Sequence, residues 1–173
     1  MQLPNDLRLA LERELRGVSP KQLAAVAAEL SARYREGHSR EKATFAQGAQ
    51  DVAAYAATRM PATWAAIAAA LRAAAAGRPD WQPRSLLDAG AGPASAAWAA
   101  AGVWPGLERI SLLERESAMI KLGRSLAAHA QAPALRAATW TAADLGGTWQ
   151  AAPHDLVTLG YVLGELPAAK IAP

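Results

Sequence analysis

The residues of this 173-residue sequence best placed to do chemistry are three carboxylates and a pair of glycines. Asp88-Ala89-Gly90-Ala91-Gly92 follows a short run over 85–88 that reads as a buried strand, and it precedes an alanine-rich stretch with the composition of a helix. Glycines one residue apart let the chain turn sharply and leave bare backbone against which a flat or extended ligand can pack. The helix beyond them offers unpaired N–H groups and a positive dipole end. Glu114 lies 24 residues after Gly90, at the close of the next strand-like run, where a carboxylate can accept both hydroxyls of a ribose. Asp144 follows a third such run and can meet an adenine amino group. A plainer reading stays open beside this one, in which the glycines serve a tight strand-to-helix turn, Asp88 caps the helix and Glu114 is solvated.

Two cofactor classes compete for such a corner. A dinucleotide pyrophosphate asks for G-x-G-x-x-G or alanine at the third position, and here Ser95 stands there, preceded by Pro93 and Ala94. An aspartate two residues before the first glycine repels phosphate and suits a cationic amino-acid tail. S-adenosylmethionine carries that ammonium group, and the D-x-G-x-G pattern resembles the cofactor loop of Rossmann-like class I methyltransferases.

The elements that must hold this corner divide near residue 80. Region 1–80 reads as wholly helical. Leu3, Leu7, Leu11 and Leu15 recur every four residues, and Ser19-Pro20-Lys21-Gln22 opens a second helix that runs to Gly37. A third is expected over 40–60, and Pro61 opens a fourth with Trp64, Ile67 and Leu71 as its buried stripe. After the turn-rich 77–83, region 81–173 alternates: strands over 85–88, 109–114, 137–140 and 154–163, helices over 94–101 and 117–130. That order calls for parallel pairing with right-handed crossovers, an open α/β sheet whose ligands bind beyond the carboxyl ends of the strands.

Bulk properties narrow the classes. The absence of cysteine removes thiolate chemistry, cysteine-ligated zinc and iron–sulfur ligation from these residues, and it fits a reducing compartment. A net charge of +3 and a pI near 9.6 permit contact with nucleic acid without demonstrating it. The longest apolar tract, 65–76, is mostly alanine and is interrupted by Arg72, so no membrane span is expected and the expected location is cytoplasmic. His38, His129 and His154 have no companions at metal-ligand spacing and read as capping or surface residues. Tyr161, beside Val162, Leu163 and Leu166, reads as core, with stacking on a base as the alternative. Arg33, Arg35, Arg40 and Arg59 read equally as phosphate contacts or as a solvated helix face. None of these residues is assigned a catalytic role.

Six segments, "LPNDLRLALERELRGVS", "LSARYREG", "AYAATRMPATWAAI", "SLLDAGAGPASAAWAA", "LLERESAMIKLGRSLA" and "DLVTLGYVLGELP", together resemble bacterial members of the methyltransferase-like family of small ribosomal subunit assembly, whose mitochondrial relatives act on the mitoribosome. Arg59-Met60-Pro61-Ala62-Thr63 and Gly164-Glu165-Leu166-Pro167 carry the resemblance more specifically than the glycine loop does. It implies a helical region on a Rossmann-like class I methyltransferase sheet, an S-adenosylmethionine pocket, and association with the small ribosomal subunit or its rRNA precursor. It also implies site roles: Asp88, Ala89, Gly90 and Gly92 as the cofactor loop, Glu114 at the ribose, and Asp144 with Leu145 beside the adenine. Family loops usually place another glycine where this chain has Ala94.

Family members continue past the fourth strand into the rest of the sheet and a cysteine-bearing region that resembles an iron–sulfur site. The resemblance therefore implies that these residues are the first half of the domain, with four strands, inactive alone, and with an apolar edge at 156–163 that leads copies to associate. Function divides into an enzyme that methylates rRNA and an assembly factor that uses the same fold as a docking surface without turnover.

Overall fold

A computed structural model describes residues 2–19, 21, 23–25, 28 and 49–162. The helix expected from Ser19 to Gly37, and Arg33, Arg35, Arg40 and His38 with it, lie outside the described residues or largely so.

Helix α1 (Asn5–Glu14) begins directly after Pro4, whose fixed φ suits a helix entry. Leu7, Ala10 and Leu11, at helical spacing, form its buried side. Asp6 accepts the Gln131 N–H at 2.7 Å and thereby ties α1 to a segment 125 residues away. Helices α2 (Ala49–Thr58) and α3 (Met60–Gly77) are separated by a break at Arg59, and Pro61 occupies the first turn of α3, where its missing N–H costs nothing. Trp64 and Leu71 are buried as the spacing predicts, and Ile67 packs partly buried against the same core.

Four strands follow: β1 (Ser85–Ala89), β2 (Arg109–Glu114), β3 (Thr139–Ala142) and β4 (Leu156–Thr158). They pair in parallel in the order β3-β2-β1-β4, with Leu86 opposite Ile110 and Leu156, and Asp88 opposite Leu112 and Thr158. Helices α4 (Ser95–Val103) and α5 (Ser117–Ala127) supply the crossovers between the first three strands, as right-handed βαβ units require. This is the parallel α/β sheet with preceding helices that the alternation implies.

One core joins the helices to the sheet. Leu7, Met60 and Trp64 pack in it with Leu86, Ile110 and Leu112. Trp104, 2% exposed, meets Trp81 edge to face with ring centroids 5.4 Å apart, sealing the end of α4. Side chains alternate across a strand, so Leu87 and its register partner Val157 belong to the opposite face, where Val157 is 50% exposed.

The largest departures from the expected bounds fall in three elements, each for a local reason. The third strand begins at Thr139 because Pro133–Arg136 forms an additional helical turn, α6, just before it. The second crossover helix ends at Ala127 rather than residue 130, and the Ala128 N–H still bonds back to Arg124 O at 3.1 Å. The fourth strand shrinks to three residues. Ahead of it, Asp155 is engaged by its side chain: Oδ2 accepts the Arg84 N–H, the Ser85 N–H and the Ser85 hydroxyl, each at 2.9 Å. These donors, the Arg84 amide foremost, hold the Asp155 carboxyl below the usual carboxylate range and stitch the start of β4 to the start of β1. Beyond Thr158 the chain turns away, and Tyr161 has a left-handed φ of 64° and is 68% exposed. Tyr161 is therefore a surface residue, not the core residue its neighbours implied.

Candidate functional site

Parallel pairing brings the carboxyl ends of β1, β2 and β3 together, and with them Asp88, Glu114 and the loop that carries Asp144. The glycine corner after β1 is shaped by φ values open to glycine: +71° at Gly90 and +54° at Gly92. Ala94, at the cap of α4, also has a left-handed φ of 72°, the conformation that a glycine would adopt without strain. The Gly90 and Ala91 N–H groups both donate to Leu113 O at 2.9 Å, which fixes the corner to the end of β2.

Glu114 is the hub of the site. Its Oε2 accepts the Gly92 N–H and its Oε1 accepts the Glu116 N–H, each at 2.7 Å, so one carboxylate clamps the loops that follow β1 and β2. It is 9% exposed, neither free in solvent nor closed off. Its main-chain carbonyl also accepts the Ala143 N–H at 3.0 Å, which carries the clamp on to the loop after β3. In that loop Asp144 is exposed and folds over a turn, Oδ1 accepting the Gly146 N–H at 2.9 Å, with Leu145 half-buried beside it.

Asp88 sits differently from its two companions. It is 1% exposed, its Oδ1 accepts the Thr158 hydroxyl at 2.8 Å, and its Oδ2 has no hydrogen-bond partner. Burial pushes its carboxyl up to about 7, against the opposing pull of the Thr158 hydroxyl and of the Ala97 amide at the start of α4; the charge of Glu114 adds to the rise. Asp88 thus braces β4 against β1 behind the corner, whereas Glu114 and Asp144 stand on its rim. Ala89, buried at the end of β1, adds only backbone to the corner.

The two glycines also differ in their surroundings. A Cβ on Gly90 would stand 2.6 Å from Val162 Cγ2, so Val162 lies directly over that residue. A Cβ on Gly92 would meet only the Tyr55 hydroxyl, at 3.9 Å, so the second glycine keeps its bare backbone accessible. Thr158, Val162 and Tyr55 escaped the sequence reading. Thr158 alone had a usable signal there, because a parallel strand beside β1 must set some residue opposite Asp88, and a hydroxyl is a fitting partner for a carboxyl group.

His129 contacts Arg13 at 3.0 Å, and His154 lies 2.9 Å from the Ser111 hydroxyl and 3.1 Å from Arg109. Among the described residues no group of His, Asp and Glu could hold a metal ion, and no helix is long and apolar enough to cross a membrane.

Residues 49–171 match a family model described as mitochondrial small ribosomal subunit Rsm22. No curated protein matches. Among solved structures, the apo form of the S-adenosylmethionine-dependent methyltransferase SibL is similar at 20% identity with a TM-score of 0.39, over 87% of this chain and 44% of that one. The chain thus spans less than half the length of that enzyme. The family match extends over well more than half of the sequence, from α2 through the sheet and the whole glycine corner, and the chain belongs to the Rsm22 family of the mitochondrial small ribosomal subunit.

Proposed function

We propose that this chain is a methyltransferase-like protein that binds S-adenosylmethionine at the glycine corner and works on the small ribosomal subunit, in methylation of its rRNA or in its assembly. The observation that carries the reading is the clamp of Glu114 on the open Gly92, at the tips of adjacent parallel strands. The donor set fits an adenosyl group. Glu114 uses two of its lone-pair sites on the Gly92 and Glu116 amides and retains others for two ribose hydroxyls. Asp144, with Leu145, would border the adenine, and the backbone at Gly90 and Gly92 would lie along the methionine portion. Asp88 would act from behind the corner by fixing β4 rather than by meeting the ammonium group. When bound, S-adenosylmethionine supplies an electrophilic methyl group on its sulfonium, so the residues of the corner need only bind and orient.

His129 and His154 are engaged with Arg13 and Ser111, away from the corner, and the rim consists of carboxylates already tied to backbone amides. Membership of a ribosomal family supports the small subunit as partner. The exposed Val157 and Leu159 of the β4 side would be the surface for self-association.

The test is co-sedimentation with immature small subunits in the presence of methyl-labelled S-adenosylmethionine. Co-sedimentation with label in the rRNA identifies an enzyme, and co-sedimentation without it identifies a docking factor. Failure to co-sediment contradicts the ribosomal reading.

A further inference from the structure

At the opposite end of the sheet from the glycine corner, the last turns of α5, the short helix α6 and the start of β3 line an open cavity of about 430 Å³. Arg124, Leu135, Arg136, Thr139 and Trp140 are among its lining residues, with alanines between them. The two arginines have no carboxylate partner there. Arg124 is exposed and has no hydrogen-bond or ion-pair partner among the described residues. Arg136 is held in place through carbonyls, its Nη1 donating to Ala130 O at 2.5 Å and to Gln131 O at 2.8 Å. Those bonds orient a guanidinium without neutralising it.

The aromatic wall is equally fixed. Trp140 rests on Gly123 of α5, where a Cβ would fall 2.7 Å from the indole Cζ2. Gly123 is buried, so the missing side chain is what admits the indole to this position. The result is a concave site with an apolar and aromatic wall, a hydroxyl and two uncompensated guanidinium groups. A volume in the range of small-molecule sites, about 300–1,000 Å³, admits a nucleotide. A guanidinium pair binds phosphate, and an indole wall receives a nucleobase.

We infer that this cavity takes one nucleotide of a single-stranded RNA segment, with its phosphate between Arg124 and Arg136 and its base against Trp140 and Leu135. The inference rests on the small-subunit reading for its choice of RNA over a free nucleotide. It gives the protein an RNA contact separate from the cofactor corner, at the amino ends of the strands rather than the carboxyl ends.

Anisotropy titration of a labelled single-stranded oligoribonucleotide tests it, with wild type, Arg124→Glu, Arg124→Lys and, as the same charge change outside the cavity, Arg78→Glu. Arg124→Glu is expected to weaken binding about fivefold or more and to lower the salt slope by roughly one phosphate contact, while Arg124→Lys retains most of the affinity. Equal losses in Arg124→Glu and Arg78→Glu would reduce the effect to general charge and overturn the site. Binding of adenosine monophosphate at the cavity without competition from RNA would also overturn it, in favour of a free nucleotide. If wild type binds no RNA at all, the small-subunit reading fails; if it binds RNA and Arg124→Glu binds as well, the inference alone fails.

Discussion

Replacing Asp88 with asparagine is expected to remove a pH dependence of stability that spans the interval from about pH 4 to pH 7. The carboxyl is raised from 3.8 to about 7, chiefly by burial. In that interval the folded chain holds a proton that the unfolded chain has released, so this group's contribution to stability is full below the unfolded value and is lost as pH rises through the folded one. The rise corresponds to roughly 4 kcal/mol. Asparagine keeps an oxygen for the Thr158 hydroxyl and cannot ionise. Urea unfolding of both variants across this range isolates the contribution as a difference. Asp155, whose carboxyl is held low, acts in the opposite sense in both variants and cancels. The difference should change steeply between pH 4 and 7 and leave Asp88→Asn the more stable protein at pH 8. Parallel curves would mean that Asp88 is ionised and solvated in the fold.

Gly90→Ala should destabilise the protein by about 2–4 kcal/mol, from a left-handed backbone and overpacking together. The new methyl would stand 2.6 Å from Val162 Cγ2 and 2.8 Å from its Cβ, and a β-branched side chain has little freedom to swing aside. Gly92→Ala has the same kind of backbone at +54° but open space above it, so its cost is confined to about 1 kcal/mol. Adding Val162→Ala to Gly90→Ala should recover the part of the steric cost due to the two Val162 methyls and leave the 2.8 Å approach of its Cβ and the backbone part, which thermal denaturation of wild type and the three variants would resolve. Equal losses at the two glycines would show that Val162 does not cover the corner.

These two glycines also indicate how much was legible in the amino-acid order. The strand, glycine and helix succession over 85–98 announced the corner, because only residues with a free φ permit it, and β1 and β2 emerged within a residue of their expected bounds. Parallel order followed from alternation and crossover handedness alone. What local pattern could not supply was the effect of distant partners. Asp88 stands at the tip of β1, where its Oδ1 accepts the hydroxyl of Thr158, 70 residues on, while Glu114 is the group that accepts the Gly92 N–H of the loop. Tyr161 had apolar neighbours but turns outward once the chain leaves β4. The start of β3 was displaced by Pro133, whose fixed φ begins a helical turn that alanine-rich sequence does not distinguish from strand entry.

The central proposition is that the open glycine beside Glu114 receives an adenosyl sulfonium ligand. Calorimetric titration of S-adenosylmethionine, S-adenosylhomocysteine and NAD into wild type and Gly92→Ala tests it most directly, since this substitution fills the cradle at little cost in stability. The account predicts that the two adenosyl amino acids bind wild type, that NAD does not, and that Gly92→Ala weakens binding by about tenfold or more. Absence of binding to a folded wild-type chain, or equal affinity in Gly92→Ala, would contradict it.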